Sequence, residues 1–302
     1  MHSKLTDLLA AANQVILGKE RPVRLAVCCL LAKGHLLIED VPGVGKTTLS
    51  HTLAKLIGMD YQRIQFTSDI LPADIIGSSI FLPDQQAFKF HPGPLFKQMI
   101  LADEINRASP KSQSALLEAM EERQVTVDGQ TYPLPSPFFV IATQNPSHHA
   151  GTYPLPESQL DRFLMCIELG YPDFEAEREL LSGVSRRQTL LEHLPCVLPH
   201  TALFALQAEV ADVHAAPALL DYLQAIINFT RNSGQYHCGL SPRAGLAVLT
   251  AAKAWALMDG RDALLPEDVQ AILPAVAGHR LRAGIGNAAS VVAPILKKVP
   301  VF

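Results

Sequence analysis

Cysteine is scarce and unpatterned in this chain. Its five cysteines, Cys28, Cys29, Cys166, Cys196 and Cys238, form an odd set with one adjacent pair and no C-x-x-C spacing. That argues against a disulfide framework and a zinc site, and predicts reduced thiols in the core. Positive charge is in deficit as well: 25 Lys and Arg against 29 Asp and Glu give a formal charge of −4. A dedicated nucleic-acid binder carries a basic footprint, and none is visible overall. No apolar run approaches the ~20 residues of a membrane span. The opening MHSKLTDLLAAANQVILGKE interrupts its apolar positions with Asp7 and Asn13, unlike a signal peptide. A soluble, cytoplasmic protein without membrane insertion is expected. The histidines lack metal-ligand spacing; His148 and His149 are adjacent, which predicts a turn rather than a metal site. The single tryptophan, Trp255, lies in an apolar helical stretch and is expected in the core.

What is present is a large apolar content in a regular order. Hydrophobic residues make up 48% of 302 positions and charged residues 18%, enough to pack a core and too apolar for disorder. Through the first half, short apolar runs alternate with helical patterns. The expected strands are His35–Glu39, Tyr61–Phe66, Lys97–Glu104, Pro137–Asn145 and Arg162–Leu169, with a helix from Lys46 to about Ile57. Between the third and fourth strands, Ala115, Leu116, Ala119 and Met120 mark one helical face. Such alternation predicts a parallel sheet covered by helices on both faces. Two segments break it. Val125–Leu134 contains Asp-Gly between apolar and β-branched residues, a hairpin signal. Residues Thr67–Phe96 are long and turn-rich, which inside a compact domain points to function. After Pro172 every periodic stretch is helical, with Pro or Gly between stretches. Two domains are expected, an α/β body over 1–171 and an all-helical unit over 172–302.

The chemistry-bearing stretch is IEDVPGVGKTTLSH, Ile38 to His51. It follows a strand and opens a helix, the setting of a phosphate-binding loop. Gly43 and Gly45 free the backbone to turn its N–H groups inward. Lys46 supplies charge for the β- and γ-phosphates, and the Thr47 hydroxyl suits Mg²⁺ at a helix start. Asp40 stands where the strict pattern G-x-x-x-x-G-K-[ST] has its first glycine. Aspartate tolerates left-handed backbone geometry better than most residues, so the loop is expected to survive. Asp103 and Glu104 end an apolar strand: the first is placed to position Mg²⁺, the second to orient the attacking water. Asn145 ends the next strand, within reach of that water or the γ-phosphate. Arg162 and Arg243 are either surface arginines or groups that stabilise a transferring phosphoryl, from the same or a neighbouring subunit.

The ordered set VPGVGKT, MILADEINRA, IATQNP, GTYPLPESQLDRFLM and GLSPRA resembles the AAA+ ATPases, and specifically the MoxR family, over about Ile16 to Leu281. The resemblance implies a P-loop NTPase core with sheet order 5-1-4-3-2, a helical lid and a hexameric ring. It implies ATP and Mg²⁺ as cofactors. It makes Val41, Pro42, Gly43, Val44, Gly45, Lys46, Thr47 and Thr48 the Walker A loop, and Asp103 and Glu104 the Walker B pair. Thr47 and Asp103 become the Mg²⁺ ligands, partly through water. Asn145 corresponds to sensor 1, Arg162 to an arginine finger acting in trans, and Arg243 to sensor 2. Arg107 is a second intersubunit candidate. Val15, Ile16, Leu17 and Gly18 are similar to the segment that contacts adenine. Residues 67–96 resemble the helix-2 insert, and 125–134 the pre-sensor-1 hairpin.

The function so implied is ATP hydrolysis in a ring that remodels or matures a protein client. Chaperone-like metal or cofactor insertion with a von Willebrand factor A domain partner is the form usual in the family. A nucleic-acid motor is the alternative from another class. It needs basic residues in the hairpin, and VTVDGQTYPL has none, so nucleic acid is an unexpected partner. A magnesium-chelatase-type subunit shares the same architecture. A scaffold that binds ATP without turning it over is disfavoured by the intact Asp103–Glu104 pair.

Overall fold

A computed structural model describes residues 2–145, 152–182, 190–191, 193–281 and 287–301. The turn expected at His148–His149 lies outside these residues. Five strands form one parallel sheet: β1 (Leu36–Glu39), β2 (Tyr61–Gln65), β5 (Met99–Asp103), β8 (Phe139–Gln144) and β9 (Met165–Ile167). Their lateral order is β2-β5-β8-β1-β9, the expected 5-1-4-3-2 read from the other edge. The sequence shows why the middle is where it is. In β1, β5 and β8 the apolar runs do not alternate, and burial on both faces demands such runs. In β2, Gln62, Arg63 and Gln65 stand exposed, as an edge strand permits.

Register matters for the chemistry. Gln65 lies opposite Asp103, Ala102 opposite Ala142, and Ile38 and Glu39 opposite Thr143 and Gln144. The carboxyl ends of four strands therefore finish together, the usual ligand position in open α/β sheets.

Helices α1 (His2–Val15), α2 (Glu20–Leu31) and α3 (Lys46–Ile57) cover one face, and α5 (Pro110–Glu122) the other. The buried side of α5 holds Leu116, Ala119 and Met120, as the periodicity predicts, and also Leu117, whereas Ala115 is half-buried. Its Ser109 N-cap accepts from Ser112 N, with Pro110 at the first helical position.

The turn-rich segment folds as α4 (Pro72–Ile76) and a hairpin of β3 (Gly77–Leu82) with β4 (Ala87–Pro92). A Cβ on Gly77 would stand 2.3 Å from the His91 carbonyl, so only glycine lets the two strands close there. The second hairpin pairs β6 (Gln124–Val127) with β7 (Gln130–Pro133). Asp128 and Gly129 both have positive φ, 51° and 78°, as a two-residue hairpin turn requires. Phe90 stacks on Tyr132 with centroids 4.0 Å apart, joining the two hairpins.

After the short α6 (Glu157–Leu160) and β9, the elements among the described residues are helices: α7 (Phe174–Ser182), α8 (His200–Asp212), α9 (Pro217–Asn232), α10 (Pro242–Met258), α11 (Pro266–Ala277) and α12 (Ala288–Lys298). One apolar cluster runs from Leu8 in α1 through α2 and β1 to Val248 and Ile272. Body and lid thus share a core in this state. Of the thiols, Cys28, Cys29 and Cys166 are buried, but Cys196 and Cys238 are exposed, against expectation; none forms a disulfide. Both sit in connections between helices. Trp255 is half-buried at the rim of that cluster, with the Arg24 guanidinium 4.1 Å above its ring.

His35 sits at the foot of β1 and is fully engaged. Its Nδ1 accepts from Val140 N at 3.0 Å, which leaves the proton on Nε2, 3.3 Å from the Met120 carbonyl. Burial pushes its pKa down to about 4. A depressed histidine leaves the folded state short of protons relative to the unfolded one. Its contribution is therefore complete above about pH 6.5 and is lost as pH falls toward 4, by about 3 kcal/mol. Urea denaturation of the parent and of His35→Gln from pH 7 to pH 4 checks this. The variant should lose that much of the parent's pH slope.

Candidate active site

The loop between β1 and α3 takes the shape that its glycines were expected to allow. Gly43 and Gly45 have φ of +86° and +100°, and Gly45 is the left-handed N-cap of α3. A Cβ at Gly43 would touch nothing, so the requirement there is conformational rather than steric. Val41, Val44 and Thr48 are half-buried, and Pro42 and Thr47 face solvent.

Asp40 does not use left-handed geometry, since it is absent from the positive-φ residues. Its carboxylate explains the departure from the glycine pattern. Oδ1 accepts from Val41 N at 2.7 Å, and Oδ2 accepts from Leu169 N at 2.7 Å and Gly170 N at 2.6 Å. Aspartate thus staples the loop entrance to the chain leaving β9, which glycine cannot do. Hydrogen bonds to a charged group contribute about 1.5–3 kcal/mol each, and two of these donors would be left without a partner by truncation. Asp40→Gly should therefore destabilise the fold by about 3 kcal/mol, read as a lower denaturation midpoint. A change below about 0.5 kcal/mol would remove the staple role.

The charged groups converge at the carboxyl edge of the sheet. Lys46 is buried, and its Nζ donates to the Asp40 carbonyl at 2.6 Å and to Asn145 Oδ1 at 3.1 Å. Burial lowers its pKa, against the pull of Asp40, Asp103 and Glu104. Asn145 Nδ2 in turn donates to Glu104 Oε1 at 3.2 Å. One amide therefore bridges the loop lysine and the carboxylate, and its orientation is fixed by the opposite needs of its two partners. Glu104 is held in the left-handed region at φ 58°, ψ 48°, an uncommon conformation for a side chain of this size. Its amide donates to Thr143 Oγ1 at 2.9 Å, while Thr143 Oγ1 donates to Asp103 Oδ1 at 2.6 Å.

Several neighbours were not anticipated. Arg63 donates through Nη2 and Nε to Asp103 Oδ2, at 2.6 and 3.1 Å, and through Nη2 to Gln65 Oε1 at 2.7 Å. Gln65 Nε2 donates to Glu104 Oε2 at 3.2 Å. The available signal was the i, i+2 spacing of Arg63 and Gln65 at the end of an edge strand, which puts both on one face. Thr143 carried a fainter one, a hydroxyl inside an otherwise apolar strand. Arg107, a candidate for an intersubunit role, pairs within this chain with Glu104 Oε2 at 2.8 Å.

The segment expected near adenine lies at the joint with the lid. Val15 and Ile16 have their side chains inside the core, at 0% and 3% exposure, so Leu17 and Gly18 alone reach the surface. A Cβ on Gly18 would stand 3.0 Å from Ala176, and Lys19 Nζ bonds the Tyr171 carbonyl. Since Gly170 bonds Asp40, this segment and the phosphate loop are both tied to the same short stretch, Gly170–Tyr171.

Arg162 and Arg243 are brought together, away from this cluster. Both pair with Glu121 near the end of α5, Arg162 Nε at 2.9 Å and Arg243 Nη2 at 2.6 Å. Their cleft also takes in Gly34 and His35, at the amino end of β1. From His35 to Asp40 the extended chain spans roughly 16 Å. Lys46, Asn145 and Glu104 thus occupy one edge of the sheet and the two arginines the other. Among the described residues, no helix is long and apolar enough to cross a membrane.

Comparison with known proteins places this geometry. Residues 35–165 match the model of the ATPase family associated with various cellular activities (AAA), and residues 228–295 match that of the AAA lid domain. The chain is 47% identical to the uncharacterized protein YeaC of Bacillus subtilis, covering 93% of this chain and 88% of that protein. It is 44% identical to the chaperone MoxR1 of Mycobacterium tuberculosis, covering 89% of this chain and 73% of that one. A crystal structure from Cytophaga hutchinsonii superposes with a TM-score of 0.90 at 36% identity, covering 100% of this chain and 96% of that one.

Proposed function

The chain belongs to the MoxR family of AAA+ ATPases and hydrolyses ATP; we propose that it does so in a ring, to remodel a protein client. Nucleotide binding and ATP hydrolysis are properties of the family. The finer assignments are our reading. The amides of Gly43–Gly45 and the Lys46 ammonium hold the β- and γ-phosphates, with Val41, Pro42, Val44 and Thr48 shaping the loop. Thr47 and Asp103 offer hard oxygens of the kind that bind Mg²⁺ alongside phosphates and water, so the donor chemistry fits. When bound, that ion neutralises the phosphate oxygens. Glu104 orients and deprotonates the attacking water, and Asn145 links it to the γ-phosphate end of the site. Leu17 and Gly18 border the base. We place the division between ATPase body and lid at about residues 171 and 172.

One observation carries the ring. The phosphate loop and its carboxylates lie at one edge of the sheet, while Arg162 and Arg243 lie at the other, turned toward Glu121. A phosphoryl-transfer site wants an arginine on the developing charge, and none of this pair reaches its own loop. A second copy would complete the site, and a closed ring, which we take as hexameric, would complete every site. Turnover per subunit should rise with protein concentration until assembly saturates. A rate per subunit that stays constant from fully dissociated to fully assembled protein would remove the ring reading.

The client is in this reading a protein. A partner bearing a von Willebrand factor A domain, with metal or cofactor loading as the outcome, is the form we propose by analogy with the family. Capture of such a partner by Glu104→Gln in ATP, and its absence in ADP, is the expected result.

A further inference from the structure

We propose that Arg280 is a positioning residue that sets the aim of the neighbour-facing arginines, by clamping the end of the lid to the segment that carries Arg162. The inference rests on the reading that Arg162 works across a subunit interface. Arg280 follows α11, and its side chain is only 6% exposed. Burial disfavours the charged guanidinium, and the Asp161 carboxylate offsets that. The acceptors are what single it out. Nε donates to Asp161 Oδ1 at 2.6 Å, and Nη2 donates to the carbonyls of Asp161 at 3.1 Å and Phe163 at 2.7 Å. Nη1 donates to the Leu164 carbonyl at 3.1 Å and to that of Val276 in α11. One planar fork therefore grips the main chain on both sides of Arg162 and ties it to the lid.

The clamp reaches Arg243 as well. Asp161 Oδ2 accepts from Ser241 Oγ at 3.4 Å, and Ser241 is the N-cap of α10, two residues before Arg243. Three segments that no sequence pattern connects are registered by a single Arg280–Asp161 pair. Both arginines then meet on Glu121. A lid that moves with its own nucleotide would carry the clamp, and with it the group presented to the next subunit. A purely structural pair would lower stability and leave the turnover of folded rings alone.

Arg280→Gln should lower kcat about 10- to 100-fold through misplacement of Arg162, with affinity for Mg·ATP unchanged within about twofold, since its own phosphate loop is untouched. Subunit mixing separates the causes. Lys46→Ala subunits have a dead site and intact arginines; Arg280→Gln subunits have the reverse. Their mixture should hydrolyse ATP faster than the sum of the two alone, as should a reference mixture of Lys46→Ala with Arg162→Ala. Complementation in the reference but not with Arg280→Gln overturns the proposal and leaves the trans reading standing. Failure of the reference pair removes the trans reading and this proposal with it. Should Arg280→Gln fail to fold, Arg280→Lys keeps the charge without the fork. Placed in a background carrying both Arg162→Ala and Arg243→Ala it should cost no further kcat, and an additional loss there would equally overturn the proposal.

Discussion

Arg162→Ala is expected to lower kcat by about 10³-fold or more, while the dissociation constant for Mg·ATP stays within about twofold of the parent. The expectation follows from where the side chain is. Arg162 stands at the amino edge of the sheet, paired with Glu121, remote from Lys46 of its own chain. Its loss cannot disturb the cradle that binds the nucleotide in that subunit. Glu121 is no obstacle to recruitment. The pair is about one-third exposed on both sides, and such ion pairs contribute roughly 0–1 kcal/mol. An arginine on the transferring phosphoryl is worth several times that. Steady-state turnover with calorimetric titration of Mg·ATP decides the matter, and near-parental turnover in assembled protein would sink the assignment.

Glu104→Gln is expected to lose about 10²- to 10⁴-fold in turnover with nucleotide still bound. The surroundings of the carboxylate say why the substitution is sensitive. Oε2 accepts from Arg107 and Gln65, and Oε1 from Asn145. A carboxylate has about four acceptor directions, so the one left open lies on Oε1, beside the amide that also touches Lys46. A water there has a base and a route to the phosphate end of the site. Glutamine keeps the shape but cannot accept the proton. Single-turnover hydrolysis with pre-bound ATP measures the step directly. A rate within about twofold of the parent would move the base elsewhere.

Much of this protein was legible before folding was considered. The parallel sheet follows from unalternating apolar runs at β1, β5 and β8, and the hairpin at Asp128–Gly129 from its turn residues. The phosphate loop, the Asp103–Glu104 pair and Asn145 each carry a local signal, because each sits at the end of a strand in the next βα unit. The bounds of helix α12 were not legible within the helical stretch expected over 172–302. Nor was the role of Asp40, whose partners Leu169 and Gly170 are some 130 residues away in sequence.

By itself the sequence determined the order of elements, the loop that receives phosphate and the residue types for hydrolysis. These depend on backbone freedom, side-chain period and charge within a few positions. Only the tertiary structure decided that Arg63 and Gln65 attend the Asp103–Glu104 pair, that Arg162 and Arg243 share Glu121, and that Arg280 grips the chain around Arg162. Those facts join residues 39 to 122 positions apart. Hydrogen bonds of that span are set by which strand lies beside which, a property of the packed sheet and lid that no local window contains.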